Sequence, residues 1–431
     1  MANYREYLRL LLFFSLAWAL PVQVSADIDQ PQPALRFATF NVSLYGENSG
    51  EVAQRIAGGK DPQAQALAEI IQRVQPDVLL LNEIDYTPDD RLLKVFLKEY
   101  LGKPQNKSGS PDGPAKPVEF PYHFTAPSNT GVHSGRDLDH NGIIDSRPGS
   151  RDYGGDCWGF GVYEGQYGMA VLSRFPIDEG KARTFRKFLW RDLPHAQLPT
   201  EPQRATSPQG LVESWYSLAS LAQFRLSSKS HWDVPVKING QRVHLLASHP
   251  TPPGFDGPED RNGRRNQDEI RFWTDYLAAG KEYHIDDRGT KGGLKAGERF
   301  VIAGDLNADP ADGAANQAIR NLLASPRVAQ ADAPSSVGAV EQSERQGGVN
   351  VQHTGNPKHD TLDASDNANK GGPGRNPGNL RVDYVLPSVG FRITGSGVFW
   401  PETSDPLFKL VGVHPFPSSD HRLVWVDVEF E

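Results

Sequence analysis

The segment Asp77-Val78-Leu79-Leu80-Leu81-Asn82-Glu83 is an apolar run that ends on an amide and a carboxylate. It is too short for a buried helix and has the length and composition of a central strand. Just before it, Pro62 stands at a first turn, and Ala64, Leu67, Ala68, Ile71 and Val74 follow at helical spacing. That pattern describes an amphipathic helix that stops near Pro76. A helix running straight into a buried strand predicts layers of helix and sheet.

The same reading extends in both directions. Leu35 to Phe40 alternates with an apolar bias and runs into Asn41, and Tyr167 to Ser173 is a further strand. Arg242 to Ser248 ends on His249, and Arg299 to Ala303 ends on Gly304-Asp305-Leu306-Asn307. A helix containing Glu269, Ile270, Phe272, Trp273 and Leu277 follows the loop after His249. Two last strands, Arg381 to Leu386 and Leu423 to Phe430, bracket Ser419-Asp420-His421. Lys229, His231 and Asp233 alternate on one face of another strand, which reads as a solvated face rather than part of a cleft. Residues 102–161 are dense in Gly, Pro, Ser and Asp and predict a surface insertion, and 335–379 predicts an irregular loop.

At the amino end, charged residues around Arg5 and Arg9, an apolar run from Leu10 to Leu20, and Val24-Ser25-Ala26 follow the order of a signal peptide. The expectation is a leader over 1–26, a single domain over 27–431, and a secreted or periplasmic product with no integral membrane segment. Cys157 is the only cysteine, so an internal disulfide is excluded and stability must come from burial. The formal charge of -8 argues against tight sequence-independent binding to nucleic acid. It does not argue against a phosphate substrate, because a bound metal ion inverts the local field.

Several separate apolar strands thus terminate in acidic, amide or imidazole side chains, as expected of a site gathered along one rim of a sheet. In order, Phe40-Asn41-Val42, Leu81-Asn82-Glu83-Ile84-Asp85, Gly304-Asp305-Leu306-Asn307, Arg381-Val382-Asp383-Tyr384 and Ser419-Asp420-His421 resemble the motifs of the endonuclease/exonuclease/phosphatase superfamily. That superfamily includes deoxyribonuclease-like nucleases, inositol polyphosphate phosphatases and neutral sphingomyelinases. The stretches from Gly165 to Arg174 and from His249 to Pro253 resemble a secreted bacterial branch of it.

The resemblance implies an α+β (α/β) sandwich, with two mixed sheets face to face and helices on both outer faces. It implies a divalent-metal-dependent hydrolase of phosphate esters, with Mg²⁺ or Mn²⁺ bound by Glu83 and assisted by Asn41 and Asp420. Asp305 is the implied residue that orients or deprotonates water, and Asn307 holds a phosphate oxygen. His421 faces the same phosphate with Asp383 as its carboxylate partner, and His249 donates a proton or binds phosphate. Which of Asp305 and His421 is the base stays open. The substrate expected first is a phosphodiester, including extracellular nucleic acid; a phosphomonoester or phospholipid is the alternative. The rival from another class is a calcium-ordered binding module on a dead scaffold.

Two further patterns stand outside that resemblance. Arg261, Arg264 and Arg265 in the loop after His249 can grip substrate phosphate, or form the polar start of the next helix. Asp137, Asp139, Asn141, Ile143 and Asp145 follow the opening positions of a Ca²⁺ loop, with Gly142 at the turn and a main-chain carbonyl at Ile143. The twelfth position is Pro148 where a carboxylate is expected, so Asp152 or Asp156 must fold back to complete it. The alternative is a solvated Asp/Asn turn.

Overall fold

The computed structural model describes residues 34–202, 213–314, 316–364 and 377–431. The leader expected over 1–26 lies outside the described residues. The strands are β1 (Leu35–Leu44), β2 (Val78–Ile84), β3 (Tyr122–Phe124), β4 (Gly168–Ser173), β5 (Arg183–Thr184) and β6 (His231–Ile238). They continue with β7 (Gln241–Ser248), β8 (Arg299–Asp305), β9 (Asp383–Pro387), β10 (Phe391–Val398) and β11 (Val424–Phe430). The helices are α1 (Glu51–Ile56), α2 (Pro62–Val74), α3 (Arg91–Phe96), α4 (Arg151–Gly155) and α5 (Leu218–Leu221). After them come α6 (Arg261–Leu277), α7 (Asn316–Leu323), α8 (Val337–Gln346) and α9 (Phe408–Val411).

One sheet has the order β10-β11-β1-β2-β4-β3 and the other β5-β6-β7-β8-β9. Each is mixed: β1 runs parallel to β2 and β7 parallel to β8, and the other neighbours are antiparallel. Side-chain alternation explains why they stack. Trp232, Val234, Val236 and Ile238 of β6, Val243, Leu245 and Ala247 of β7, and Val301 and Ala303 of β8 join the core shared with β1, β2 and β4. The intervening Leu246, Phe300 and Ile302 face the opposite way and pack on Ile270, Phe272, Trp273 and Leu277 of α6. On the far side of the first sheet, α2 buries Leu67, Ile70, Ile71 and Val74 in the central core. Asp61 caps α2 by accepting from the Ala64 amide at 2.9 Å, and Pro62 occupies its first turn. The result is the sandwich with helices on both outer faces.

Three expectations are corrected. The stretch 335–379 is not simply irregular: α8 lies within it, capped by Ser336, which accepts from the Ala339 amide at 3.2 Å. Its few apolar residues hide the helical period; residues 365–376 lie outside the described residues. The insertion at 102–161 does not merely lie on the surface: β3 forms an edge of the first sheet, and Val118 and Phe120 join the central core. Lys229, His231 and Asp233 are 6%, 1% and 2% exposed, so their face is buried rather than solvated. Helix α6 covers it: His231 Nε2 reaches the Glu269 carbonyl at 2.8 Å, and Tyr276 donates to Asp233 at 2.7 Å.

Candidate active site

The parallel pairs β1/β2 and β7/β8 bring their carboxyl ends to one rim, and the polar termini converge there. Two of these termini sit in left-handed backbone, Glu83 at φ 57° and Asn307 at φ 52°. Each turns off the end of its strand, which re-aims the side chain away from the sheet. Gly304 is needed for close approach, since a Cβ there would stand 2.1 Å from the Ser248 carbonyl oxygen.

Asp305 is the hub. Its Oδ2 accepts from Asn41 Nδ2 at 3.0 Å and lies 3.4 Å from His249 Nε2 and 3.7 Å from His421 Nε2. Its Oδ1 accepts from the Asn307 amide at 2.9 Å, and its own amide donates to Asn82 Oδ1 at 3.2 Å. His421 Nδ1 in turn lies 2.9 Å from Asp383 Oδ2, which also accepts from Thr361 Oγ1 at 2.7 Å. The Thr361 hydroxyl oxygen accepts from the Val382 and Asp383 amides at 3.0 Å each, so it fixes both the carboxylate and its strand. Asn307 donates its side-chain amide to the Pro250 carbonyl at 3.1 Å. Asp420 is held by Ser43 Oγ at 3.1 Å, and Ser419 Oγ donates to the Asn41 carbonyl at 2.8 Å.

These contacts set the charge states. Burial alone would raise the Asp305 carboxyl, but the His421 charge and the hydrogen bonds from His249 and Asn41 outweigh it and hold the group ionised. Burial pulls His421 down, yet Asp383 and Asp305 together hold it well above its ordinary value, as an imidazolium. Burial pushes Asp383 up against the pull of His421. Burial and the Lys229 charge bring His249 down to about 4, so its ring is neutral at pH 7. Burial raises Glu83 to about 7, with His421 opposing and Asp420 reinforcing the rise.

The donor chemistry fits a divalent cation. Glu83, His249 and Asp305 each offer one ligand atom, and these lie within 4.8 Å of one another. Among the described residues Glu83 forms no ion pair with a lysine or arginine, and its neighbour at 3.9 Å is the neutral His249, which leaves a carboxylate to take a metal. The tight cluster therefore joins Glu83 to His249 and Asp305, while Asp420 stands behind Ser43 with its charge reaching Glu83.

Two of the three arginines expected to grip substrate are engaged elsewhere. Arg261 starts α6 and pairs with Glu259, and Arg265 is buried, donating to the carbonyls of Leu226, Arg225 and Trp158. The charge of Arg264 acts on Asp260, and its Nε has no hydrogen-bond partner. Sequence reasoning missed four contributors: Lys229, Asn82, Thr361 and Glu269. The Lys229 ammonium feels Glu269, Glu83 and Asp305, and burial lowers its pKa. Glu269 of α6 accepts from the Ser228 amide at 2.6 Å and the Thr251 amide at 2.7 Å, binding together the segments that carry Lys229 and His249. A charged residue on the apolar face of α6, where a core residue belongs, is the signal that would have found it.

A metal-fitting carboxylate and imidazole cluster on one rim of an α/β sandwich suits metal-assisted hydrolysis. The chain belongs to the Endonuclease/Exonuclease/phosphatase family, whose model matches residues 38–421, and it is a metal-dependent phosphoester hydrolase. Among solved structures it is similar to an endonuclease/exonuclease/phosphatase from Beutenbergia cavernae DSM 12333: 18% identity, TM-score 0.44, 93% of this chain and 72% of that one covered. It is also similar to sphingomyelinase C from Streptomyces griseocarneus, with 16% identity, TM-score 0.42, and 92% of this chain and 99% of that one covered. No curated protein matches the chain.

Proposed function

We propose that the protein is an exported phosphodiesterase that uses Mg²⁺ or Mn²⁺, with an extracellular nucleic acid strand as the first substrate to try. The observation that carries this reading is the placement of Asp305 between Asn41 at 3.0 Å, His249 at 3.4 Å and His421 at 3.7 Å, with Asp383 behind His421.

Glu83, His249 and Asp305 would hold a divalent cation, which would supply charge to neutralise the phosphate as it becomes more negative. The chain's own groups divide the remaining work. Asp305, held ionised, orients the attacking water and accepts its proton, whereas His421 as an imidazolium donates to a phosphoryl oxygen and is not free to act as base. Neutral His249 turns Nε2 toward Glu83 and Asp305, and the buried Lys229 side chain acts electrostatically on the same two carboxylates. With Arg261 and Arg265 committed elsewhere, the imidazolium of His421 is the cation turned to the phosphate, which suits the single negative charge of a diester better than the double charge of a monoester. Export rests on the leader pattern over residues 1–26.

The test is hydrolysis of bis-(p-nitrophenyl) phosphate and p-nitrophenyl phosphate with Mg²⁺, Mn²⁺, Ca²⁺ or EDTA, beside an Asp305→Ala control, followed by DNA, RNA and phospholipid. Metal-dependent diester turnover lost in the control supports the proposal. Faster monoester turnover, or activity confined to phospholipid, overturns the substrate assignment. Absence of turnover on every substrate favours the binding-module alternative.

A further inference from the structure

Away from the catalytic rim, the loop from Asp137 to Gly142 turns back on itself: Asn141 N donates to Asp137 Oδ1 at 3.1 Å and Gly142 N to Asp137 Oδ2 at 3.0 Å. The expected fifth member, Asp145, is absent from this cluster, because it pairs with Arg147 at 3.0 Å and accepts from Ser150. Asp156 takes its place. Ligand oxygens of Asp137, Asp139 and Asp156 lie within 4.8 Å of one another.

Asp156 makes this more than an acidic surface turn. It is 0% exposed; its Oδ1 accepts from the Leu138 amide at 2.7 Å, and its Oδ2 has no hydrogen-bond partner. Among the described residues, no arginine, lysine or histidine forms an ion pair with any of the three carboxylates. A buried carboxylate oxygen without a partner, gathered with two like charges, is costly unless a cation completes it. The donors are all hard oxygens, and nearby main-chain carbonyls and water can fill a larger shell, which selects Ca²⁺ over zinc or copper.

We propose that Asp137, Asp139 and Asp156 hold a structural Ca²⁺ ion that pins the 137–142 loop to the segment beginning at Asp156. That segment leads to the catalytic rim. The Trp158 carbonyl accepts from Arg265 at 2.5 Å, Tyr163 donates to Asp85 at 2.6 Å, and the Gly165 carbonyl accepts from the Tyr86 amide at 2.8 Å, next to the turn that carries Glu83. The ion thus braces the rim without taking part in hydrolysis.

The test uses the full chain stripped with EGTA, in wild type and in Glu83→Gln, Asp139→Asn and Asp156→Asn variants. Tb³⁺ emission is excited through tryptophan; Trp215 is well placed as antenna, its ring stacked on His140 at 4.1 Å. Expected are Ca²⁺-displaceable Tb³⁺ emission and a Ca²⁺-dependent rise in Tm, both retained in Glu83→Gln. Asp139→Asn and Asp156→Asn should bind Tb³⁺ about tenfold more weakly or worse and lose the rise in Tm. Should either variant fail to fold, Ca²⁺ displacement of Tb³⁺ in Glu83→Gln stands as the deciding measurement. No displaceable emission in the wild type, or a signal lost in Glu83→Gln and kept in both aspartate variants, overturns the assignment.

Discussion

His421 Nδ1 stands 2.9 Å from Asp383 Oδ2, and on its other side His421 Nε2 stands 3.7 Å from Asp305 Oδ2, so one ring is flanked by two carboxylates. Its raised pKa means that the charged form persists above neutrality and is lost only as pH rises through that value. Asp383→Asn removes the nearer carboxylate, so the alkaline limb of the pH–rate profile should move to lower pH and kcat should fall roughly 10²–10³-fold. An unchanged alkaline limb would show that His421 is not the group titrating there.

Glu83, raised to about 7 by burial, makes metal binding sensitive to acid. Protons compete with the cation below that value, so calorimetric affinity for Mg²⁺ or Mn²⁺ should weaken by about tenfold for each pH unit below 7 and level off above it. In Glu83→Gln, affinity should be poor and nearly flat with pH.

Lys229→Met keeps the length of the side chain and deletes its charge. That charge acts on Glu83 and Asp305, so steady-state kinetics should show kcat/KM reduced by roughly 10–10². The circular dichroism spectrum should be retained. Equal kinetics in the two proteins would remove Lys229 from the site.

Glu269 is the prediction that concerns stability. Glu269→Ala strands the buried amides of Ser228 and Thr251, and denaturant unfolding should show a loss of about 2–4 kcal/mol. Glu269→Gln, which preserves an acceptor, should cost less.

How much of this was visible in the residues alone depends on where the physical signal is local. The strands ending at Glu83, His249 and Asp305, and helix α2, announce themselves through apolar period and capping, and the site residues follow because they sit at those ends. Lys229, His231 and Asp233 could not be placed that way. Alternating polar residues ordinarily mark a wet face, and only the covering α6, with Glu269 and Tyr276, makes theirs dry. Thr361 was hidden for a different reason: it lies in a Gly- and Asn-rich stretch without period, and its role comes from a bond to Asp383 across 22 residues of chain. Arg265 misled because it has the composition of a phosphate grip and the burial of a strut.

The bond from Asn41 to Asp305 spans the interface between the two sheets, since Asn41 belongs to β1 and Asp305 to β8. Catalysis is therefore a gauge of alignment between the two halves of the sandwich. A slip too small to expose the core or disturb either ladder already separates groups that must meet within hydrogen-bonding reach. Under mild denaturant, heat or pressure, the enzyme should fall silent while its far-ultraviolet signature is still whole. Substitutions at Trp232 or Val301, buried between the sheets, should weaken turnover by the same slippage.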